Sequence, residues 1–334
     1  MRLPRVTVFS LGGTISSVNS GGKGVEPRLT GEALVSDVPE IAEVAEVSAV
    51  SFRQAASGEL VVEDLVELAA EIAGRIDAGD AGAVVTQGTD TIEETSFVLD
   101  LLVDRDAPVV VTGAMRNPTL PGADGPANLL AAIQVAAGEA ARGLGAVVVL
   151  NDEIHAARFV RKTHTSNPAT FRSEPVGPLG WISEGRVRVV LRPVGRHKVA
   201  LPEGAQDRPV ALHVVTLGDD GRLLAAVEEH GYAGLVVEAL GGGHVPSVMV
   251  GALEGLAKKM PVVLASRTGG GEVLSSTYGF PGSEMDLLER GLIHAGSLDG
   301  RKARLLLTLL LRSGASREEI EAAFGSWLDA PATR

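Results

Sequence analysis

Val6-Thr-Val-Phe-Ser-Leu-Gly-Gly-Thr-Ile15 and its partner segment, Ala83-Val-Val-Thr-Gln-Gly-Thr-Asp-Thr-Ile-Glu-Glu94, decide the fold class. In each, a β-branched run ends in glycine followed by threonine. An open parallel sheet binds its ligands outside the carboxyl ends of its strands, where loops converge. Two hydroxyls, Thr14 and Thr89, and the carboxylate of Asp90 are therefore expected around one pocket, an arrangement suited to nucleophilic attack on a small polar substrate.

Working outward, further strands are predicted at 109–112 and 146–150. The stripe Val62, Leu65, Val66, Leu68, Ala69 and Ile72 predicts a helix over 61–76. Asp124 is placed to cap a helix over 126–137, with Pro126 in the first turn, where a missing N–H costs nothing. This alternation implies a mainly parallel sheet covered on both faces. Trp181-Ile182 and Val187–Leu191, flanking Ser183-Glu-Gly-Arg186, read as a hairpin, and 192–208 mixes proline, glycine and charge without periodicity, as linkers do. Alternation then resumes with strands at 212–216, 234–238 and 262–266 and helices at 220–229 and 247–259. Helices near 299–313 and 316–328 close the chain, the second capped by Ser316 with Glu319 three residues on. The expected organisation is an N-terminal α/β catalytic domain (1–191), a linker (192–211) and a smaller C-terminal α/β domain (212–334).

Composition narrows the function. With 334 residues, 45% of them apolar, the chain can bury one large core or two ordinary ones. A formal charge of −12 argues against nucleic-acid binding, which needs Lys and Arg to neutralise phosphates. The absence of cysteine excludes disulfides and thiolate metal sites. The 7 histidines form no HExxH or similar pair, so neither a metal nor a cofactor is expected. Gly21-Gly-Lys-Gly24 and Gly269-Gly-Gly271 lack the spacing of phosphate loops. The apolar run Leu305–Leu311 is far shorter than the ~20 residues that span a bilayer. Met1-Arg-Leu-Pro-Arg5 has no apolar signal region, which makes a cytoplasmic location the expectation.

A hydroxyl is a poor nucleophile without a base or charge network beside it. Thr89 and Asp90 offer such partners, although either could simply cap a helix whose first turn carries Glu93 and Glu94. Asp90 could also bind a substrate ammonium. Lys162, in Phe159-Val-Arg-Lys-Thr-His-Thr165, matters if it lies beside this pair, where it could stabilise Asp90 and take part in proton transfer.

These segments, in this order, resemble the bacterial-type L-asparaginase and glutaminase-asparaginase family. The resemblance runs through Gly12-Gly-Thr-Ile15, Gly88-Thr-Asp-Thr91, Thr112-Gly-Ala-Met-Arg116, Asp124-Gly-Pro-Ala-Asn128, Leu150-Asn-Asp152, Lys162-Thr163, Gly177-Pro-Leu-Gly180 and Lys302-Ala-Arg304. It implies a larger N-terminal α/β domain, a smaller flavodoxin-like C-terminal one, and hydrolysis of L-asparagine to L-aspartate and ammonia without a cofactor. By the same resemblance Thr14 is the primary nucleophile, forming an acyl-enzyme, and Thr89, Asp90 and Lys162 support proton transfer. Ser57, with backbone amides such as that of Gly88, would hold the substrate α-carboxylate. Asp90 and Glu284, the latter across a subunit interface, would hold the α-amino group. The family's sites lie between paired subunits, commonly within a tetramer.

The departures are specific. No tyrosine occurs between Ser16 and Arg28, where the family usually has one against the nucleophile, and Tyr278 is the candidate replacement. Gly58 stands where a glutamine often binds substrate, His244 where an asparagine is common, and Gln87 where histidine is frequent. The glycine-rich loop 16–28 has a composition shared by a mobile lid and by a simple disordered surface loop. Three further readings compete: a dual glutaminase-asparaginase, the amidohydrolase subunit of a tRNA-dependent amidotransferase, and a non-catalytic Asn/Asp-binding protein. The acidic charge disfavours the amidotransferase.

Overall fold

The structure, a computed structural model, describes residues 2–13, 15, 17–19, 25–27 and 31–327, with backbone only at 17–19 and 25–27. The chain divides into two units, one ending at Lys198 and the other beginning at Val199. The first contains strands β1 (Arg5–Gly12), β2 (Ser17–Asn19), β3 (Val25–Pro27), β4 (Glu46–Ala55), β5 (Gly82–Thr86), β6 (Val109–Thr112), β7 (Ala146–Leu150), β8 (Glu153–Ala156), β9 (Arg161–Lys162), β10 (Phe171–Arg172), β11 (Gly180–Ser183) and β12 (Arg186–Val189). Its helices are α1 (Gly31–Ser36), α2 (Ile41–Val44), α3 (Val62–Asp77), α4 (Ile92–Leu102) and α5 (Gly125–Ala137).

Eight strands form one sheet in the order β12-β11-β8-β7-β6-β5-β1-β4. The five strands from β7 to β4 are parallel, and the other three join antiparallel. Among the parallel strands the spatial order is second-first-third-fourth-fifth, so the chain leaves β1 toward one side and β5 toward the other. That reversal opens a crevice at the carboxyl ends of β1 and β5. Burial dictates the composition of the central strands: every residue of β5, β6 and β7 is buried, as expected of strands covered on both faces. Val6, Val8, Val84 and Val110 pack with Leu34, Ile41, Leu129 and Ile133 on one face. Phe9, Leu11, Val85 and Val111 pack with Leu68, Ile72, Ile92 and Leu99 on the other.

Helix α5 begins at Gly125, but Asp124 does not cap it with its side chain. Its carboxylate instead accepts the backbone N–H groups of Met115 and Arg116, at 3.0 and 2.8 Å, and thereby ties down the turn after β6. The hairpin forms as β11 and β12, with Trp181 opposite Arg188.

The second unit is a four-stranded parallel sheet, β13 (Val210–Val214), β14 (Gly234–Ala239), β15 (Val262–Ser266) and β16 (Ile293–His294), in sequence order. Helices α6 (Leu224–Glu229), α7 (Val250–Ala257), α8 (Glu284–Glu289), α9 (Gly300–Ser313) and α10 (Arg317–Gly325) accompany it. Ser316 and Glu319 form the expected capping box on α10. The first strand lies two residues earlier than its predicted position, because Val210 to Val214 are the residues in register with Gly234 to Glu238. Among the described residues, no helix is long and apolar enough to cross a membrane.

Candidate active site

The crevice is closed from below by two glycines. Gly12 and Gly13 have φ of +100° and +85°, a region L side chains rarely occupy. A Cβ on Gly13 would stand 2.0 Å from the Gly88 nitrogen and 2.4 Å from its Cα, and one on Gly12 would stand 2.6 Å from the Ala55 carbonyl oxygen. Lacking these atoms, the turn after β1 seats directly on the turn after β5. Thr14, the expected nucleophile and the next residue, lies outside the described residues, as does most of the expected lid. Of that loop, the described backbone of β2 and β3 pairs antiparallel, with Ser17 opposite Pro27.

Past Gly88 the chain makes a single 3₁₀ turn, Thr89–Thr91, and enters α4. No side chain caps this start by hydrogen bonding, so the capping alternative for Thr89 and Asp90 is not what occupies them. The Lys162 ammonium donates to Thr89 Oγ1 at 2.9 Å and to Asp90 Oδ1 at 2.5 Å. Thr89 is buried and the lysine side chain nearly so, whereas that of Asp90 is 79% exposed. A salt bridge this close to solvent adds little to stability. Its effect is to fix a cation against a buried hydroxyl while the carboxylate still faces water.

A second turn, Ser57–Glu59, packs on the first. Gln87 Nε2 donates to Thr91 Oγ1 at 3.1 Å, and Thr91 Oγ1 donates to the Ser57 carbonyl at 3.1 Å. The buried Ser57 side chain sits beside the Gly88 Cα: a Cβ there would meet Ser57 Oγ at 2.8 Å. Among the described residues, a Cβ added to Gly58 would meet nothing within 4 Å. The first unit thus gathers Ser57, Gly58, Gly88, Thr89, Asp90 and Lys162 beside the Gly12-Gly13 turn.

Glu284, His244 and Tyr278 form their own cluster within the second unit. The fully buried Glu284 carboxylate accepts from the Thr277 and Tyr278 N–H groups at 3.0 and 2.7 Å, and its other oxygen lies 3.1 Å from His244 Nε2. Burial pushes this carboxyl up, but the N–H donors of Tyr278, Glu284 itself and Thr277, together with His244, hold it below the usual glutamate range. The His244 ring stands edge-on to Tyr278 at 5.0 Å and to Phe280 at 5.1 Å between centroids. Tyr278 and Phe280 are 44% and 47% exposed, aromatic surface available for contact.

Sequence reasoning misses the part played by two residues. Phe280 gives a weak signal, being an aromatic in a glycine-proline turn. Glu93 reads only as favourable in a first helical turn, yet its carboxylate accepts the Lys162 backbone N–H at 2.8 Å. Among the described residues, no group of three or more His, Asp or Glu side chains is placed to hold a metal ion.

Comparison with known proteins gives a consistent result. The family model described as "Asparaginase, N-terminal" matches residues 5–195, and "Glutaminase/Asparaginase C-terminal domain" matches 209–324. The chain is 39% identical over 333 residues to a probable L-asparaginase of Deinococcus radiodurans, covering 96% of this chain and 97% of that protein. It is 33% identical over 341 residues to L-asparaginase 2 of Escherichia coli, covering 98% and 94%. The crystal structure of the probable cytoplasmic L-asparaginase of Campylobacter jejuni superposes with a TM-score of 0.86 at 32% identity, covering 96% of this chain and 99% of that one.

Proposed function

The chain belongs to the asparaginase family, and on that premise we propose that it hydrolyses L-asparagine to L-aspartate and ammonia. The observation that carries the reading is the Lys162 ammonium held against both Thr89 and Asp90 at the switch point of the sheet. In this reading the Thr14 hydroxyl attacks the side-chain amide carbon. The tetrahedral oxyanion is stabilised by backbone N–H groups of the glycine turns, where loss of one donor costs about 10²–10³ in rate. Ammonia leaves with a proton relayed through Thr89 and Lys162, and water then hydrolyses the threonyl ester. The exposed Asp90 carboxylate receives the substrate ammonium, and Ser57 and the Gly88 amide face its α-carboxylate.

The family models support a division into catalytic and C-terminal domains, with residues 196–208 lying between the matched segments. We also propose a homotetramer of paired subunits, in which one subunit's Glu284 cluster completes its partner's site, with His244 and Tyr278 at its exposed edge. Loss of activity on dilution to monomers is the expected outcome, and turnover by a demonstrated monomer would refute it. A cytoplasmic location agrees with the name of the Campylobacter protein. L-glutamine as a second substrate is the alternative reading, and kcat/KM for the two amides separates the two.

The decisive experiment measures ammonia release from L-asparagine by the wild type, Thr14→Ala and Thr89→Ala. Both variants should lose nearly all turnover. Full activity in both would overturn the mechanism.

A further inference from the structure

Lys162 lies on a strand that the main sheet does not hold. β9 is two residues long and, among the described residues, pairs only with the equally short β10, Lys162 opposite Phe171 and Arg161 opposite Arg172. A ladder of this length is a weak constraint on register. The side chain of Lys162 must nonetheless reach Thr89 and Asp90, which belong to the turn after β5 in the main sheet.

The tie between the two is Glu93. It sits in the first turn of α4, three residues beyond Asp90, and is 3% exposed. Its carboxylate accepts the main-chain N–H of Lys162 at 2.8 Å. The same short segment, 89–93, therefore grips one lysine twice: Thr89 and Asp90 take its ammonium, and Glu93 takes its backbone. A charged acceptor gives the stronger class of hydrogen bond, and a buried one exchanges little with water. We infer that Glu93 is a positioning residue, which sets where the Lys162 ammonium stands relative to Thr89 and Asp90 without itself touching substrate.

This inference rests on the proposed role of Lys162 in asparagine hydrolysis, and a double-mutant cycle tests it separately. Misplacing a catalytic group by about 1 Å costs on the order of a hundredfold, so Glu93→Ala should lower kcat for L-asparagine by that order while leaving KM nearly unchanged. Glu93→Gln, whose amide oxygen can accept the same N–H, should restore most of the lost kcat. In a Lys162→Met background, Glu93→Ala should add no further loss, because it acts through the lysine. If the alanine variant does not fold, Glu93→Met, of similar length but without a strong acceptor, takes its place in the cycle. Fully additive losses in the two backgrounds, or Glu93→Gln as inactive as Glu93→Ala, would overturn the positioning role. Full activity in Lys162→Met would instead overturn the proposed function on which it rests.

Discussion

Gly13→Ala is the sharpest probe of how this fold makes its site, because the damage can be worked from the backbone. The new methyl would sit 2.0 Å from the Gly88 nitrogen, 2.4 Å from the Gly88 Cα and 2.6 Å from the Gln87 carbonyl carbon. All three are backbone atoms, so no side chain can swing aside. The φ of +85° adds about 1–2 kcal/mol for an L residue in left-handed backbone. Overpacking adds about 1–3 kcal/mol. The combined cost is about 2–5 kcal/mol, which for a unit of this size lowers Tm by roughly 4–20 °C. Relief comes only by separating the turn after β1 from the turn after β5, and kcat should fall about a hundredfold for a displacement near 1 Å. Gly74→Ala, on α3 of the same unit, where a Cβ meets nothing within 4 Å among the described residues, serves as the control. Differential scanning fluorimetry and ammonia release, run on both variants, read the two effects. A Gly13→Ala protein that melts with the wild type and keeps full kcat would refute the claim that contact between these turns builds the site.

Gly58→Gln adds a side chain where a Cβ meets no described atom within 4 Å, and should lower KM for L-asparagine in steady-state assays while leaving Tm unchanged or slightly raised, by an amount corresponding to about 0.4–1 kcal/mol. Glu284 has a folded pKa below its ordinary value, so its contribution to stability is complete above about pH 4.5 and is lost as pH falls through the folded value. Glu284→Gln should therefore be less stable than wild type at pH 7, and thermal unfolding from pH 7 to 3 should show the gap narrowing. Lys198 donates to the carbonyls of Asp100 and Val103, and burial lowers its pKa to about 8 against the attraction of Asp100. The folded protein sheds this proton before the unfolded chain does, so its contribution to stability rises between pH 8 and 10.5, by at most about 3 kcal/mol. Urea midpoints should show wild type gaining on Lys198→Met across that window, and a constant gap would refute the assignment.

The strands were legible in the sequence where burial on both faces leaves no choice of residue, as in Ala146-Val-Val-Val-Leu150. The edge strand β13, held by one neighbour and partly exposed, carried a weaker pattern, and its register was settled only by pairing with β14. Asp124 shows a different limit. Its position marked the helix start correctly, but its carboxylate turned back to the N–H groups of Met115 and Arg116 in the preceding loop, a choice that helix-capping patterns do not encode. Thr89, Asp90 and Lys162 could be proposed as a group because the family resemblance joined them; residue type alone made Lys162 one lysine among many. Glu93 could not, since its partner is a main-chain N–H, which every residue except proline possesses.

The topology explains why a tether of that kind is needed. The turns after β1 and β5 are more than seventy residues apart in sequence, yet the strands are adjacent and fully registered, Val6 opposite Gly82 through Ser10 opposite Thr86. Their relative position is fixed by a buried ladder and sealed by glycines that let backbone touch backbone. Lys162 arrives by another route, after the sheet has turned antiparallel through β8 and the chain has left it for the β9–β10 pair. Two components of the proposed site thus inherit the precision of the main sheet and the third does not. A hydrogen bond from its backbone to a carboxylate on the first turn of α4 supplies that precision at the cost of one buried charge. The same reasoning explains why the carboxylate belongs at position 93: a helix N-terminus is where a buried anion is least unfavourable to hold.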